Sequence, residues 1–170
     1  KFEEAIQSYT GAKYAIACMN GTAGLQVSLI LAGVTKNDIV IAPNLTFVAT
    51  LNAISYISAQ TVLIDNCEDS WQIDVDLLEK WLIGNTITSF IDNRPITTEK
   101  ISGKKVGAIM PVYVLGGFVN TDKLLKISTK YGIPIIEDST EALGSFKKGK
   151  HAGTFGLTGV LSFNGNKIIS

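Results

Sequence analysis

The chain has 170 residues, of which 46% are hydrophobic, which is enough apolar material for a domain with a substantial core. Its 15 Lys and Arg residues balance 15 Asp and Glu residues. This balance weighs against nucleic acid as a partner, and no apolar stretch is long enough to span a membrane. Cys18 and Cys67 form no CxxC pair, so we expect buried, reduced thiols in a cytoplasmic protein.

The first half of the chain alternates between helical and strand-like patterns. Phe2, Ala5, Ile6 and Tyr9 recur at helical spacing, and Gly11 follows as a stop signal. The spacing predicts further helices over 22–34 and 47–57, and strands over 14–19, 39–42 and 61–64. Each of these strands is followed by a helix, as in a sheet with helical crossovers.

The second half continues the alternation after one interruption. We predict a helix over 75–83 and a helix that is capped by Thr121 and runs to Tyr131, with strands over 106–112, 133–136 and 160–163. The segment 85–105 is polar, lacks clear periodicity and is interpreted as a surface excursion. The pattern predicts an α/β fold in three layers, with a mostly parallel sheet between helices. Ligands of such sheets bind beyond the carboxyl ends of the strands, where Asn20, Pro43 and Asp138 fall.

One lysine and one aspartate at predicted strand ends carry the chemistry that is most specific in this chain. Lys167 lies in a polar turn after the last strand, and Asp138 ends an apolar strand. A lysine in such a turn is ordinarily only solvated, and an aspartate there often only caps the next segment. Together they suit pyridoxal phosphate, whose aldehyde needs an amine and whose ring nitrogen needs a carboxylate.

Three other positions complete this hypothesis, each with a simpler alternative. Asn20-Gly21-Thr22-Ala23 stands at a strand-to-helix junction, where free N–H groups bind phosphate, although an ordinary N-cap explains it too. Phe47 begins a helix and is either a core residue or a ring that stacks on a flat cofactor. Ser162 is either an ordinary strand serine or a hydroxyl donor to phosphate.

Two competing site types find less support. The run 144–151 nearly matches a phosphate loop, but His151 replaces the required hydroxyl and glycines interrupt any following helix, so it is interpreted as a basic hairpin. Since His151 is the only histidine, a multi-histidine zinc site is excluded. Glu137, Asp138 and Glu141 lack the further ligands that a metal site needs, and we predict none.

Four motifs in this order resemble the DegT/StrS-like sugar aminotransferases, which are fold-type I pyridoxal-phosphate enzymes. They are the runs 20–23, 43–50, 137–144 and 162–167. The resemblance implies a Schiff base at Lys167, a bond from Asp138 to the ring nitrogen, and a contact of Glu141 near the phenolic oxygen. It also implies that Phe47 stacks on the cofactor ring. The phosphate is then bound by Gly21, Thr22, Ala23 and Ser162. Tyr113 stands where relatives often have histidine and receives no role.

The resemblance also implies a function for the whole protein. It predicts transfer of an amino group, from glutamate, to a nucleotide-linked 4-keto-6-deoxy sugar in surface-glycan biosynthesis, by a homodimer. The branches that it resembles most make legionaminic-acid and perosamine precursors, with the former slightly preferred. Residues 1–170 are then part of the cofactor-binding large domain, and the C-terminal remainder is absent. A catalytically silent relative that binds a sugar nucleotide is the alternative, and a nucleotide-binding domain without covalent chemistry is a third possibility.

Overall fold

The computed structural model describes residues 1–169. Its helices and strands follow one another along the chain as α1 (Phe2–Thr10), α2 (Gly21–Leu31), β1 (Ile39–Pro43), α3 (Val48–Tyr56), β2 (Gln60–Ile64), α4 (Val75–Asn85), β3 (Thr86–Ile91), β4 (Arg94–Glu99), β5 (Val106–Ile109), a 3₁₀ turn (Val114–Gly116), α5 (Thr121–Tyr131), β6 (Ile136–Asp138), β7 (Phe146–Lys147), β8 (Lys150–His151) and β9 (Thr158–Val160).

The central sheet is parallel throughout. Strands β2, β1 and β5 form one ladder and β6 and β9 another. Two parallel bridges, Ile109 to Ile135 and Val112 to Asp138, join the ladders and give the order β2-β1-β5-β6-β9. The carboxyl ends of all five strands therefore meet at one edge of the sheet, as the sequence pattern predicts.

Helices cover both faces of this sheet, because successive side chains of each strand point to opposite sides. On β1, Ile39 and Ile41 pack in one cluster with Leu78 of α4 and Leu124 of α5. Val40 and Ala42 pack in the other cluster, which is closed by buried residues of α2 and α3, namely Leu25, Leu29, Ala53 and Ile54. The predicted three-layer fold is confirmed.

The helix boundaries follow local signals in the sequence. Gly11 and Gly132 end α1 and α5 in the left-handed conformation. At Gly132 a Cβ atom would also lie 2.0 Å from the carbonyl oxygen of Pro95, so only glycine fits. The predicted cap at Thr121 is wrong by one residue, since the side chain of Asn120 accepts the N–H of Lys123.

The strand predicted over 14–19 is absent from the described residues. This segment is irregular, and Ile16 and Met19 are 80% and 93% exposed. Its only long-range hydrogen bond is the one that Ala17 N–H donates to Glu3 Oε1 at 2.7 Å, which ties it to α1 and not to a strand. Apolar composition predicts a strand only where a neighbouring strand supplies the backbone partners.

The segment 85–105 is a surface excursion as predicted, but it has regular structure that the sequence analysis did not assign. Strands β3 and β4 pair in an antiparallel hairpin, and the turn residues Asp92 and Asn93 have φ of 48° and 60°. Two positive φ values in a two-residue loop match the type of turn that hairpins favour. The dipeptide Asp92-Asn93 was the sequence signal for this turn. Thr97 fastens the hairpin to α5 by donating to the carbonyl of Tyr131 at 2.7 Å.

Several smaller differences concern the end of the chain and the cysteines. The last strand covers 158–160 and not 160–163, while the basic hairpin over 144–151 is confirmed as β7 and β8. Cys18 is exposed and Cys67 half-buried, so the prediction of two buried thiols is wrong. In the part of the chain that is described, no helix combines the length and apolarity required to cross a bilayer.

Candidate functional site

Asp138 lies at the carboxyl end of β6 and is only 3% exposed. Its Oδ2 accepts a hydrogen bond from Thr50 Oγ1 at 2.6 Å, and its Oδ1 accepts one from Thr140 Oγ1 at 2.8 Å. Burial raises the pKa of this carboxyl above its ordinary value, and the hydrogen bonds from Thr50 and Thr140 oppose the shift. Residues 1–169 supply no salt-bridge partner for it. A buried carboxylate without a cationic partner is poised to receive one.

Lys167 reaches the same edge of the sheet from the turn after Ser162. The turn is closed by the hydrogen bond from Lys167 N–H to the carbonyl of Asn164 at 2.8 Å. The Lys167 side chain is 15% exposed, and its Nζ lies 3.3 Å from Glu141 Oε1. Burial raises the pKa of Asp138, and the charge of Lys167 is among the influences that oppose this shift. The lysine is therefore not the freely solvated side chain of the simpler interpretation.

Glu141 holds two parts of the site together. Besides the Lys167 ammonium on Oε1, it accepts the N–H of Leu115 on Oε2 at 2.9 Å. Leu115 has φ 53°, in the left-handed region that a branched residue rarely adopts. The Glu141 carboxylate thus stabilises this strained turn and orients the lysine at the same time.

Phe47 forms a wall of the site at the N-terminus of α3. It is 68% exposed, so it is not the core residue of the alternative interpretation. Its ring centroid lies 5.9 Å from Lys167 Nζ. An exposed aromatic face beside a lysine is suited to stacking against a flat ring.

The N-terminus of α2 forms a cradle next to these groups. Asn20 Oδ1 accepts the N–H of Ala23 at 2.8 Å, which leaves the N–H groups of Gly21 and Thr22 without an acceptor inside the helix. A Cβ atom on Gly21 would lie 3.1 Å from Thr140 Cγ2 and 3.7 Å from Ser162 Oγ. Glycine therefore keeps open a space that is lined by a hydroxyl and by free N–H groups, as phosphate requires.

The site residues predicted from sequence thus lie together at one edge of the sheet. They comprise a lysine side chain, a buried carboxylate without a salt-bridge partner among residues 1–169, an exposed aromatic ring and a helix N-terminus with free N–H groups. These match the four parts of pyridoxal phosphate, namely aldehyde, ring nitrogen, ring face and phosphate. Residues 1–169 contain no group of three or more His, Cys, Asp or Glu side chains arranged to hold a metal ion.

Two residues of this cluster were not assigned from the sequence, although both occur in the quoted motifs. Thr50 and Thr140 supply the side-chain donors to Asp138. A threonine two residues after an aspartate is a common local hydrogen-bond partner, so the role of Thr140 could have been predicted from the sequence. Thr50 lies 88 residues from Asp138 along the chain, and only the fold brings the two together.

His151 and Tyr113 belong to the structural core. His151 is fully buried, accepts the N–H of Gly144 on Nε2 at 2.9 Å, and contacts the carbonyl of Ala152 through Nδ1. Tyr113 donates to Glu137 Oε2 at 2.6 Å on the opposite face of the sheet from Asp138. Two surface cavities of about 470 and 490 Å³ lie along α4 and α5 and beyond β2, away from Lys167.

Comparison with known proteins agrees with this geometry. The chain belongs to the DegT/DnrJ/EryC1/StrS aminotransferase family, whose profile matches residues 1–170. Aminotransferases of this family depend on pyridoxal phosphate. The family resemblance that was inferred from four short motifs is confirmed.

Individual relatives cover the whole of this chain. A GDP-perosamine synthase of Caulobacter vibrioides is 35% identical over 100% of the chain, and EpsN of Bacillus subtilis, a putative pyridoxal phosphate-dependent aminotransferase, is 37% identical over 99%. The chain spans 40% of the length of each. In the crystal structure of a family aminotransferase from Brucella abortus, 41% of that protein matches 98% of this chain with a TM-score of 0.86 and 30% identity.

Proposed function

We propose that the protein containing this chain is a pyridoxal-phosphate-dependent aminotransferase that acts on a nucleotide-linked 4-keto-6-deoxy sugar. The observation that carries the proposal is the position of Lys167 and of the buried Asp138, which has no salt-bridge partner among residues 1–169, at the same edge of the sheet. When bound there, the cofactor supplies an aldehyde for the amine and a ring that accepts electrons. Residues 1–170 then form part of the cofactor-binding large domain.

Each residue has a distinct task in this proposal. The N–H groups at Gly21 and Thr22 and the Ser162 hydroxyl bind the phosphate, with Ala23 in the same first turn. Phe47 would face the ring, and Asp138 would hold the protonated ring nitrogen. Lys167 would supply the amine that the aldehyde requires, with loss of water, and would move the proton at the substrate carbon. Glu141, which lies 3.3 Å from Lys167 Nζ, would orient the lysine.

The acceptor is inferred from a relative, and the donor and the setting from the family resemblance of the sequence. A GDP-perosamine synthase at 35% identity favours a GDP-linked sugar as the acceptor. Glutamate as the donor and surface-glycan synthesis as the setting follow from the family resemblance alone. An N-acetylated sugar on a legionaminic-acid route is the second candidate. We also propose a homodimer, as the family resemblance of the sequence implies.

Covalent trapping in the full-length protein tests the chemistry. Borohydride reduction after addition of pyridoxal phosphate fixes the cofactor on the peptide that contains Lys167. Lys167→Arg is the matched control, because it keeps the positive charge beside Glu141 but forms no Schiff base. Label on another lysine, such as Lys150, or no label at all, contradicts the assignment.

A substrate panel tests the reaction. GDP- and UDP-linked 4-keto-6-deoxy sugars are offered with glutamate, and formation of the amino sugar and of 2-oxoglutarate is measured. We expect the highest kcat/KM with a GDP-linked acceptor, and no turnover with Lys167→Arg. A protein that binds sugar nucleotides and transfers no amine is the catalytically silent alternative, and amination of free keto acids alone contradicts the substrate class.

A further inference from the structure

A chain of three hydroxyl and carboxyl groups runs from the N-terminus of α3 into the site. Thr46 Oγ1 lies 2.7 Å from Thr50 Oγ1, which in turn lies 2.6 Å from Asp138 Oδ2. Thr50 is fully buried, so no solvent competes for its hydroxyl. Nothing in the proposed reaction needs Thr50 to touch substrate or cofactor.

The direction of these hydrogen bonds follows from the number of protons. An ionised carboxylate only accepts, so Thr50 donates its single proton to Asp138. Thr50 Oγ1 is then an acceptor toward Thr46, which donates to it. The carbonyl of Phe47, 3.2 Å from Thr46 Oγ1, competes for the same proton at longer range.

The other carboxylate oxygen is occupied more completely. Asp138 Oδ1 accepts the hydroxyl of Thr140 at 2.8 Å and lies 3.3 Å from the Thr140 backbone N–H. A carboxylate oxygen has about two acceptor sites, so both sites of Oδ1 are taken. Oδ2 has accepted one donor, from Thr50, and retains one site.

We propose that Thr50 and Thr140 are positioning residues that leave Asp138 Oδ2 as the single acceptor for the ring nitrogen of the cofactor. This inference rests on the proposed function. Thr140 fills Oδ1, Thr50 prevents rotation of the carboxylate, and Thr46 keeps the Thr50 proton directed at Oδ2. Phe47 follows Thr46 directly, so the same hydrogen bonds fix the position of Phe47 relative to the Asp138 carboxylate. One network therefore positions both the residue that faces the ring and the residue that holds the ring nitrogen.

The test compares the affinity of the full-length apoprotein for pyridoxal phosphate and for its 1-deaza analogue, in which carbon replaces the ring nitrogen. We define the ratio as the dissociation constant of the analogue divided by that of pyridoxal phosphate. This ratio measures the bond to Asp138 alone, since all other contacts are shared. A hydrogen bond to a charged group corresponds to a ratio of about 10 to 100 in the wild type. We expect Thr50→Val to lower the ratio about threefold to tenfold and Thr50→Ser to restore it.

The matched control is Thr97→Val, which also removes a buried threonine hydroxyl but lies on β4, where Thr97 is bonded to the carbonyl of Tyr131. It leaves the ratio unchanged even if it lowers stability. A wild-type ratio above ten that Thr50→Val leaves unchanged, or increases, overturns this inference while the proposed function stands. A wild-type ratio near one, or no binding of pyridoxal phosphate, overturns the proposed role of Asp138 and this inference with it.

Discussion

Glu137 and Asp138 are adjacent on β6 and almost equally buried, at 0% and 3% exposure, yet their surroundings differ. Because they are neighbours on a strand, they point to opposite faces of the sheet. Glu137 accepts three donors, from Tyr113, Gly153 and Gly156, which fasten the loop before β9. Among residues 1–169, Asp138 accepts only the hydroxyls of Thr50 and Thr140 and the backbone N–H of Thr140. It faces the α2–α3 side of the sheet.

The difference shows what separates a structural carboxylate from a functional one. Burial alone does not do so, since both residues are buried. The number and kind of donors do: Glu137 is held by rigid backbone N–H groups and a tyrosine, whereas Asp138 keeps an acceptor site that the described residues do not fill. The first arrangement stabilises the fold, and the second is available to bind a cation.

Replacing Asp138 with asparagine has the largest expected effect. Asparagine keeps the shape and loses the charge, so it no longer holds a proton on a ring nitrogen. We expect kcat/KM of the full-length protein to fall by about a hundredfold to a thousandfold. Steady-state kinetics on the accepted sugar nucleotide measures this. Turnover near that of the wild type shows that Asp138 has only a structural role and removes the contrast with Glu137.

Replacing Glu137 with glutamine tests the structural role of the second carboxylate. The amide NH₂ then faces either the Gly156 N–H or the pair of donors from Tyr113 and Gly153, so at least one donor loses its acceptor. We expect a loss of about 2–3 kcal/mol in the free energy of unfolding, with kcat per folded molecule within about threefold of the wild type. Denaturant unfolding of the apoprotein and active-site titration separate the two quantities. A large loss of kcat without loss of stability contradicts the structural role.

Sequence patterns predicted the layers of this fold because its buried strands and amphipathic helices are locally encoded. The site was predicted for a related reason. Asp138 ends a strand and Lys167 lies in the turn region that follows the last strand, and parallel strands bring their carboxyl ends together. The predictions failed where a partner distant in sequence decides the structure. The apolar run 14–19 has no paired strand among residues 1–169, and Thr50 meets Asp138 only through packing of α3.

Tyr113→Phe tests the same network with a smaller change. Burial raises the pKa of the Tyr113 hydroxyl, and the neighbouring Glu137 carboxylate raises it further, so this group stays protonated and donates. Phenylalanine keeps the packing against Phe118 and removes one of three donors from Glu137. We expect a loss of about 1–2 kcal/mol in the free energy of unfolding. If Tyr113→Phe and Glu137→Gln show additive losses, the two residues are not coupled and the network is misassigned.

The pH dependence of stability gives the smallest effect and separates the two carboxylates directly. Burial raises the pKa of folded Asp138 above the unfolded value of 3.8, so between these two values the folded apoprotein binds more protons than the unfolded chain. Stability relative to Asp138→Asn is therefore fully present below pH 3.8 and declines as the pH rises through the folded pKa. Thr50→Val removes the largest opposing hydrogen bond and extends the decline to higher pH. Unfolding of the full-length apoprotein across this range measures it, and identical pH profiles for the wild type and Asp138→Asn show that Asp138 is not the desolvated group that the structure indicates.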